Sequence, residues 1–426
     1  MVEKTKDEGP ISFTPTKEFF IKTLTKDVEL DSAILDLIDN SIDGYIVNNL
    51  IDKRNIKIHF NKTSFHIEDN CGGIKKDRIY DEVFKLGAIK KEKKETIGIY
   101  GIGLKRSMFK IGKDIRIESD DGTDYFSIHI DENWIDDDYK WKLNFEKEEA
   151  SKGEPFFRLK IEKLYPEVAE SLSLITFQEK VIEKIRKFHS MHIEKRVNIF
   201  INDIKIEPYT FNFLQGKGFS PLSEKIKIDD IDVNIIAGFT GEKDIFGWCI
   251  FCNDRMILKN DTSSRTGFRY TYYHPTQDNE ILGMVFFNCN DPSKLPMKST
   301  KDDVILENRA YRNIQVRMEE ITKELKQGFT QKLYQAKDSQ GETVGKSVYK
   351  EVPLKNWKEI PSGQKIGYPL LKTTPILEEP SEYTTITYQV LIKEIMAVKK
   401  HMGNPTMTNK KVGEKTFKYF CKLEKI

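Results

Sequence analysis

Apolar residues recur at helical spacing between positions 29 and 47, where Ile34, Leu37, Ile38 and Ile42 share one face. That pattern predicts an amphipathic helix that buries them. Period-two alternation predicts strands at 54–60, 64–68, 113–119, 124–130 and 155–162, with further helices at 77–86 and 103–111. Helices and strands in this order predict an α+β fold, a two-layer α/β sandwich and not a parallel doubly wound sheet. A connecting helix follows within 169–195. VNIFINDIKIEPY then alternates around an Asn202-Asp203 turn, three more strand-like blocks run to MVFFNCN, and a helix at 308–326 closes a second α/β domain. Five prolines (Pro353, Pro361, Pro369, Pro375 and Pro380) mark a linker or an irregular packed strap. From 385 the pattern fits a strand, a helix, a Gly403-Asn404-Pro405 turn and a second helix. The expected organisation is an arm at 1–26, a first domain at 27–168, a second at 169–330, a linker or strap at 331–384 and a small helical or mixed module at 385–426.

Composition narrows the classes. A chain of 426 residues exceeds one ordinary domain, and 32% charged with 38% hydrophobic residues is globular. A net charge of +2 gives no global pull toward nucleic acid, but from 391 onward nine Lys face three Glu. That basic module either docks nucleic acid or a partner, or is a solvated face. No apolar run reaches membrane-spanning length and MVEKTKDEGP lacks a signal-peptide pattern, so no membrane association is expected. Five widely spaced cysteines, an odd number, suit a reducing cytoplasm. Cys249 and Cys252 lie three apart on a strand and so point to opposite faces, which favours core positions over metal or redox work. His189 and His192 are expected to cap or solvate the end of the connecting helix. DENWIDDDYK is expected to be a solvated loop, and Arg255 a weak candidate for a DNA-backbone or interface contact.

Three segments carry candidate chemistry. In DLIDNSID, Asp36, Asn40 and Asp43 are spaced i, i+4, i+7 and stack on one helix face. Such a face is either solvated or, inside a cleft, able to hold a divalent ion and aim a water. In FHIEDNCGGI, Asp69 ends a strand and can accept from a base or sugar, and Gly73 lets backbone approach a ligand where a Cβ would clash. In IGIYGIGLKRS, Gly98, Tyr100, Gly101, Ile102, Gly103, Leu104 and Lys105 form a loop running into a helix. Its N–H groups can meet phosphate oxygens. It is neither a Walker A loop nor a dinucleotide fingerprint: the spacing is GxxGxG and the acids come first.

Together and in this order, the three segments resemble the nucleotide-binding (Bergerat) domain of the GHKL ATPases. These include DNA gyrase B subunits, ninety-kilodalton heat-shock chaperones, sensor histidine kinases and MutL; the wording GIYGIGLKRS is most similar to the MORC-type branch. The resemblance is strong over 29–120 and weaker to about 325. It implies ATP and Mg²⁺ as cofactors. Asn40 would bind the metal, Asp69 the adenine amino group, and Gly73 the nucleotide's close approach. Asp43 and the loop from Gly98 to Lys105 would line the nucleotide site, with 85–97 as a mobile lid. Asp36 would orient or deprotonate the attacking water. The family usually has Glu there, and about 1 Å of misplacement can cost roughly 100-fold, which bears on hydrolysis and not on binding. Cys71 and Gly44 also depart from the pattern. The second domain would be a transducer supplying a lysine to the terminal phosphate, Lys301 in preference to Lys298. The expected output is slow ATP hydrolysis coupled to dimerisation of two copies. Double-stranded DNA is the expected client, in DNA maintenance or antiviral defence, and a nuclease or helicase is a candidate partner. A chaperone-like machine and a non-hydrolysing ATP switch are the alternatives.

Overall fold

The computed structural model describes residues 16–85, 94–99, 101–137, 141–143, 145–149, 153–216, 219–242, 244–268, 280–326, 352–367 and 389–425. The chain divides into two compact units, Met1–Leu371 and Lys372–Ile426.

The first unit opens with α1 (Lys17–Thr25) and α2 (Leu30–Val47), then β1 (Arg54–Phe60), β2 (Phe65–Asp69) and a short α3 (Lys76–Arg78) that widens into a π turn at Ile79–Val83. Next come α4 (Gly103–Ile111), β3 (Gly112–Asp120), β4 (Asp124–Ile130), α5 (Glu132–Asp136), β5 (Phe145–Glu149), β6 (Phe156–Leu164), α6 (Pro166–Leu172) and the 21-residue α7 (Ile175–Lys195). Strands β7 (Val197–Ile201) and β8 (Ile204–Lys205) follow. These eight strands form one sheet in the order β5-β4-β3-β6-β2-β1-β7-β8. All pairs are antiparallel except β1 with β7.

Alternation explains the layering. In β1 every second residue (Ile56, Ile58, Phe60) is buried, and these meet Ile34, Leu37, Ile38 and Ile42 of α2 in one apolar core. The same core takes Leu104, Met108 and Ile111 from α4 and Val181 and Ile185 from α7. The two-layer α/β sandwich expected from the pattern is therefore present.

Two local expectations need correction. The VNIFINDIKI hairpin, expected in the second domain, extends the first sheet, because β7 pairs in parallel with β1. Its tight turn uses positive φ at Asn202 (45°) and Asp203 (67°), conformations these residue types tolerate better than most. The acidic run from Asp131 is not all solvated loop. Asp131 caps α5 by accepting from Trp134 N at 2.9 Å, and Lys17 lies over the Trp134 ring. The end of that run, 138–140, lies outside the described residues, as do most of the arm, the lid segment 86–93, Tyr100, and the linker at 331–351 and 368–384.

A second sheet follows, formed by β10 (Leu222–Ile228), β11 (Ile231–Phe239), β12 (Gly247–Cys252), β13 (Arg255–Asp261) and β14 (Ile281–Asn288), in the order β10-β11-β14-β12-β13. Before it, the short β9 (Asn212–Leu214) pairs with β15 (Leu354–Asn356) from the 352–367 strap. Helix α8 (Arg309–Leu325) covers one face of the sheet with Tyr311, Ile314, Met318 and Ile321. Met191 of α7, Phe211, Phe213 and Ile360 pack on the other. Cys252 belongs to the first of these layers and Cys249 to the second, as residues three apart on a strand must.

In the C-terminal unit, α9 (Ile392–His401) and α10 (Asn409–Glu424) form a helical pair around buried Met407 and Val412. The expected preceding strand lies largely outside the described residues. Among the described residues no helix is long and apolar enough to cross a membrane.

Candidate nucleotide site

Helix α2 is apolar toward the sheet, yet Asp36, Asp39 and Asp43 are all buried in it. A buried carboxylate needs partners, and each has them. Asp43 accepts from Ile97 N at 2.6 Å and Gly98 N at 2.9 Å, which ties the 97–98 segment to α2. Asp36 accepts on Oδ2 from Arg106 Nε at 2.6 Å and on Oδ1 from Lys301 Nζ at 3.1 Å. Asp39 accepts from Lys301 Nζ at 2.7 Å and from Arg255. Arg255 also donates to His189 Nε2 at 3.2 Å.

These contacts settle the charges. Burial alone would raise the Asp36 pKa, but Lys301 and Arg106 outweigh it and hold the carboxyl below its usual value. Burial also opposes charge on Lys301, and Asp39 and Asp36 reverse that, so its ammonium is retained. Burial, with Arg255 and Lys301 nearby, drives His189 far below its ordinary value, so the ring is neutral and accepts at Nε2. The result is a buried cluster in which the first domain supplies carboxylates and the second supplies Lys301 and Arg255.

A cleft open to solvent begins at Asn40, the residue after Asp39 on α2. Asn40, Ser41, Asp43, Gly44, Asp69, Cys71, Gly73 and Ile74 line it, with Gly101 and Leu104 opposite. Asp69 is a buried carboxylate of this lining. Ser41 Oγ donates to it at 2.6 Å and Cys71 N at 2.9 Å, while burial raises its pKa to about 6. Above that pH it is an ionised acceptor at the cleft wall. Cys71 keeps ordinary backbone, and the positive φ values fall on Gly72 (98°) and Gly73 (65°). A Cβ on Gly73 would sit 2.1 Å from Asp120 O, so close backbone packing as well as φ demands glycine there.

Residues 28–162 match the family model for histidine kinase-, DNA gyrase B-, and HSP90-like ATPases. An ATPase domain of the GHKL superfamily is present there. No curated protein matches the chain. The matched segment contains Asp36, Asn40, Asp69 and the glycine loop, so the cleft lies in the part of the chain that the family defines. A GHKL domain supports a general ATP-binding role.

The expected site residues do not all come together. Asn40, Asp43, Asp69, Gly73, Gly101 and Leu104 come together around the cleft. Gly98 donates to Asp43, and Gly103, the first residue of α4, lies directly against Asp36. Lys105, expected on phosphate, is instead turned to two backbone carbonyls, Lys85 O at 2.9 Å and Gly101 O at 2.5 Å, and burial lowers its pKa to about 8. Of the two candidate lysines, Lys301 reaches Asp36, whereas Lys298 is exposed and paired with Asp303 at 2.7 Å. Ile102 directly precedes α4 without a side-chain cap, and Tyr100 lies outside the described residues.

Asn40 fits a Mg²⁺ carried in by nucleotide. It is the exposed member of the α2 face, and its side chain makes no hydrogen bond to another described residue, leaving its carbonyl oxygen for a metal. Mg²⁺ is ordinarily held by one or two protein oxygens plus phosphates and water. Bound there, it would neutralise and orient the phosphates.

Two other readings change. His189 and His192 are fully buried, not solvated, because α7 packs across β13. Arg255 is also buried, which removes it from DNA and makes it a contact between the two domains. The residues that sequence reasoning missed are Ser41, Asp39 and Arg106. Their one signal was three acids within eight residues of an amphipathic helix, which require nearby donors or cations.

Proposed function

We propose that this protein binds Mg·ATP and hydrolyses it slowly, and that the bound nucleotide drives two copies together as a clamp. Asn40 holds the metal, Asp69 reads the adenine amino group, and Asp36 orients the attacking water. The observation that carries the reading is Lys301. It stands on the second domain, in a loop pinned by a Met297–Val304 bridge, and its ammonium lies on Asp36 and Asp39. A cation so placed can sense a terminal phosphate and report it to the second domain, which then acts as a transducer. Handling of DNA, including defence against foreign DNA in the manner of MORC-like proteins, is the client reading. The lysine-rich C-terminal helices support it. A nuclease or helicase on a separate polypeptide would supply any cleavage or unwinding.

A specific observation also favours the second reading, a non-hydrolysing ATP switch. Both Asp36 oxygens are occupied by cations. Sedimentation velocity of a micromolar sample with a non-hydrolysable ATP analogue tests the clamp. A shift from monomer to dimer is expected, with co-sedimentation of long double-stranded DNA. An unchanged sedimentation coefficient would remove nucleotide-gated dimerisation.

A further inference from the structure

Arg106 has no part in the scheme above, yet it makes the closest contact to Asp36. It lies in the first turn of α4, directly after the Gly101–Gly103 loop. Its Nε (2.6 Å) and its second terminal nitrogen (2.5 Å) both address Asp36 Oδ2. Within the cluster, Asp36 and Asp39 face three cations, Arg106, Arg255 and Lys301, while His189 is neutral. Among the described residues the cluster therefore holds one more cation than carboxylate, in a largely buried setting. That is costly unless an anion completes it.

The three cations are not equivalent. Arg255 and Lys301 both pair with Asp39, so each keeps a carboxylate contact if Asp36 is given up. Among the described residues Arg106 pairs with Asp36 alone, and its side chain is 23% exposed where that of Lys301 is 9%. Lys105, the neighbouring cation, is committed to backbone carbonyls. Arginine's planar fork matches phosphate oxygens in a way that a lysine point charge does not.

We propose that Arg106 is a terminal-phosphate ligand, parked on Asp36 until ATP enters. The γ-phosphate draws the guanidinium off Asp36, and the freed Oδ2 becomes available to a water. The catalytic carboxylate is thereby kept neutralised in the absence of ATP and uncovered by it. This rests on reading the cleft as an ATP site.

The test is equilibrium binding of Mg·ATP and Mg·ADP to the full chain, wild type and Arg106→Gln. Losing a charge-assisted contact to the terminal phosphate should weaken ATP roughly ten-fold or more and leave ADP within about two-fold. Equal losses for ATP and ADP, or no loss for either, would overturn the assignment. Arg106→Lys keeps the charge without the fork and should show the same ATP-selective loss at smaller size. It carries the test if the glutamine variant does not fold. A wild-type chain that bound neither nucleotide would refute the ATP-site reading itself, a result separate from an ATP-binding protein indifferent to Arg106.

Discussion

Asp36→Asn is expected to lower single-turnover ATP hydrolysis by roughly 100- to 10,000-fold, the usual range for a lost general base, while ATP still binds. The amide keeps the shape of the carboxylate and can still accept from Lys301 or Arg106, so the cluster loses charge but little packing. It cannot take a proton from water. The expected signature is therefore a fall in kcat without a matching fall in affinity. Wild type should hydrolyse slowly to begin with, since Asp reaches less far than Glu and starts out neutralised by Lys301 and Arg106. Equal turnover in wild type and Asp36→Asn would remove Asp36 from the chemistry. No turnover in either, with tight binding in both, would favour the switch reading.

Asp39→Ala should have the largest effect on stability. Asp39 is 1% exposed and anchors both Lys301 and Arg255, which come from the second domain. Removing it leaves two buried cations with one shared carboxylate in reach of only one of them. Breaking a buried ion pair from one side costs about 3–5 kcal/mol, because the surviving charge stays desolvated. Urea unfolding followed by circular dichroism measures this. Asp39→Asn, which retains an acceptor, should lose less. A loss below about 1 kcal/mol for Asp39→Ala would mean that the cluster relaxes or hydrates freely and does not join the domains.

What the sequence discloses follows the range of the physics involved. Helix α2, the glycine turn at 72–73 and the alternating strands depend on neighbours within a few residues, and each is legible from spacing. The opposite orientation of Cys249 and Cys252 is legible for the same reason. Strand pairing is not. The alternation of VNIFI predicts a strand, but nothing local says that it lies parallel to β1, some 140 residues earlier in the chain. The candidate site divides in the same way. Asp36, Asn40 and Asp69 stand out as an ordered series, whereas the role of Asp39 depends on Arg255 and Lys301, each more than 200 residues away. The burial of His189 and His192 is not legible locally, because the end of a helix usually meets solvent and this one packs against β13.

The most direct test of the central claim is an equilibrium titration of ATP onto the full chain, with and without Mg²⁺, for wild type and Asn40→Ala. The account predicts saturable binding to wild type that weakens roughly ten-fold or more when Mg²⁺ is withdrawn. The Asn40→Ala variant should bind as weakly in Mg²⁺ as wild type does without it. Saturable binding that is indifferent both to Mg²⁺ and to Asn40 would contradict the metal assignment, and no saturable binding at millimolar ATP would contradict the account as a whole.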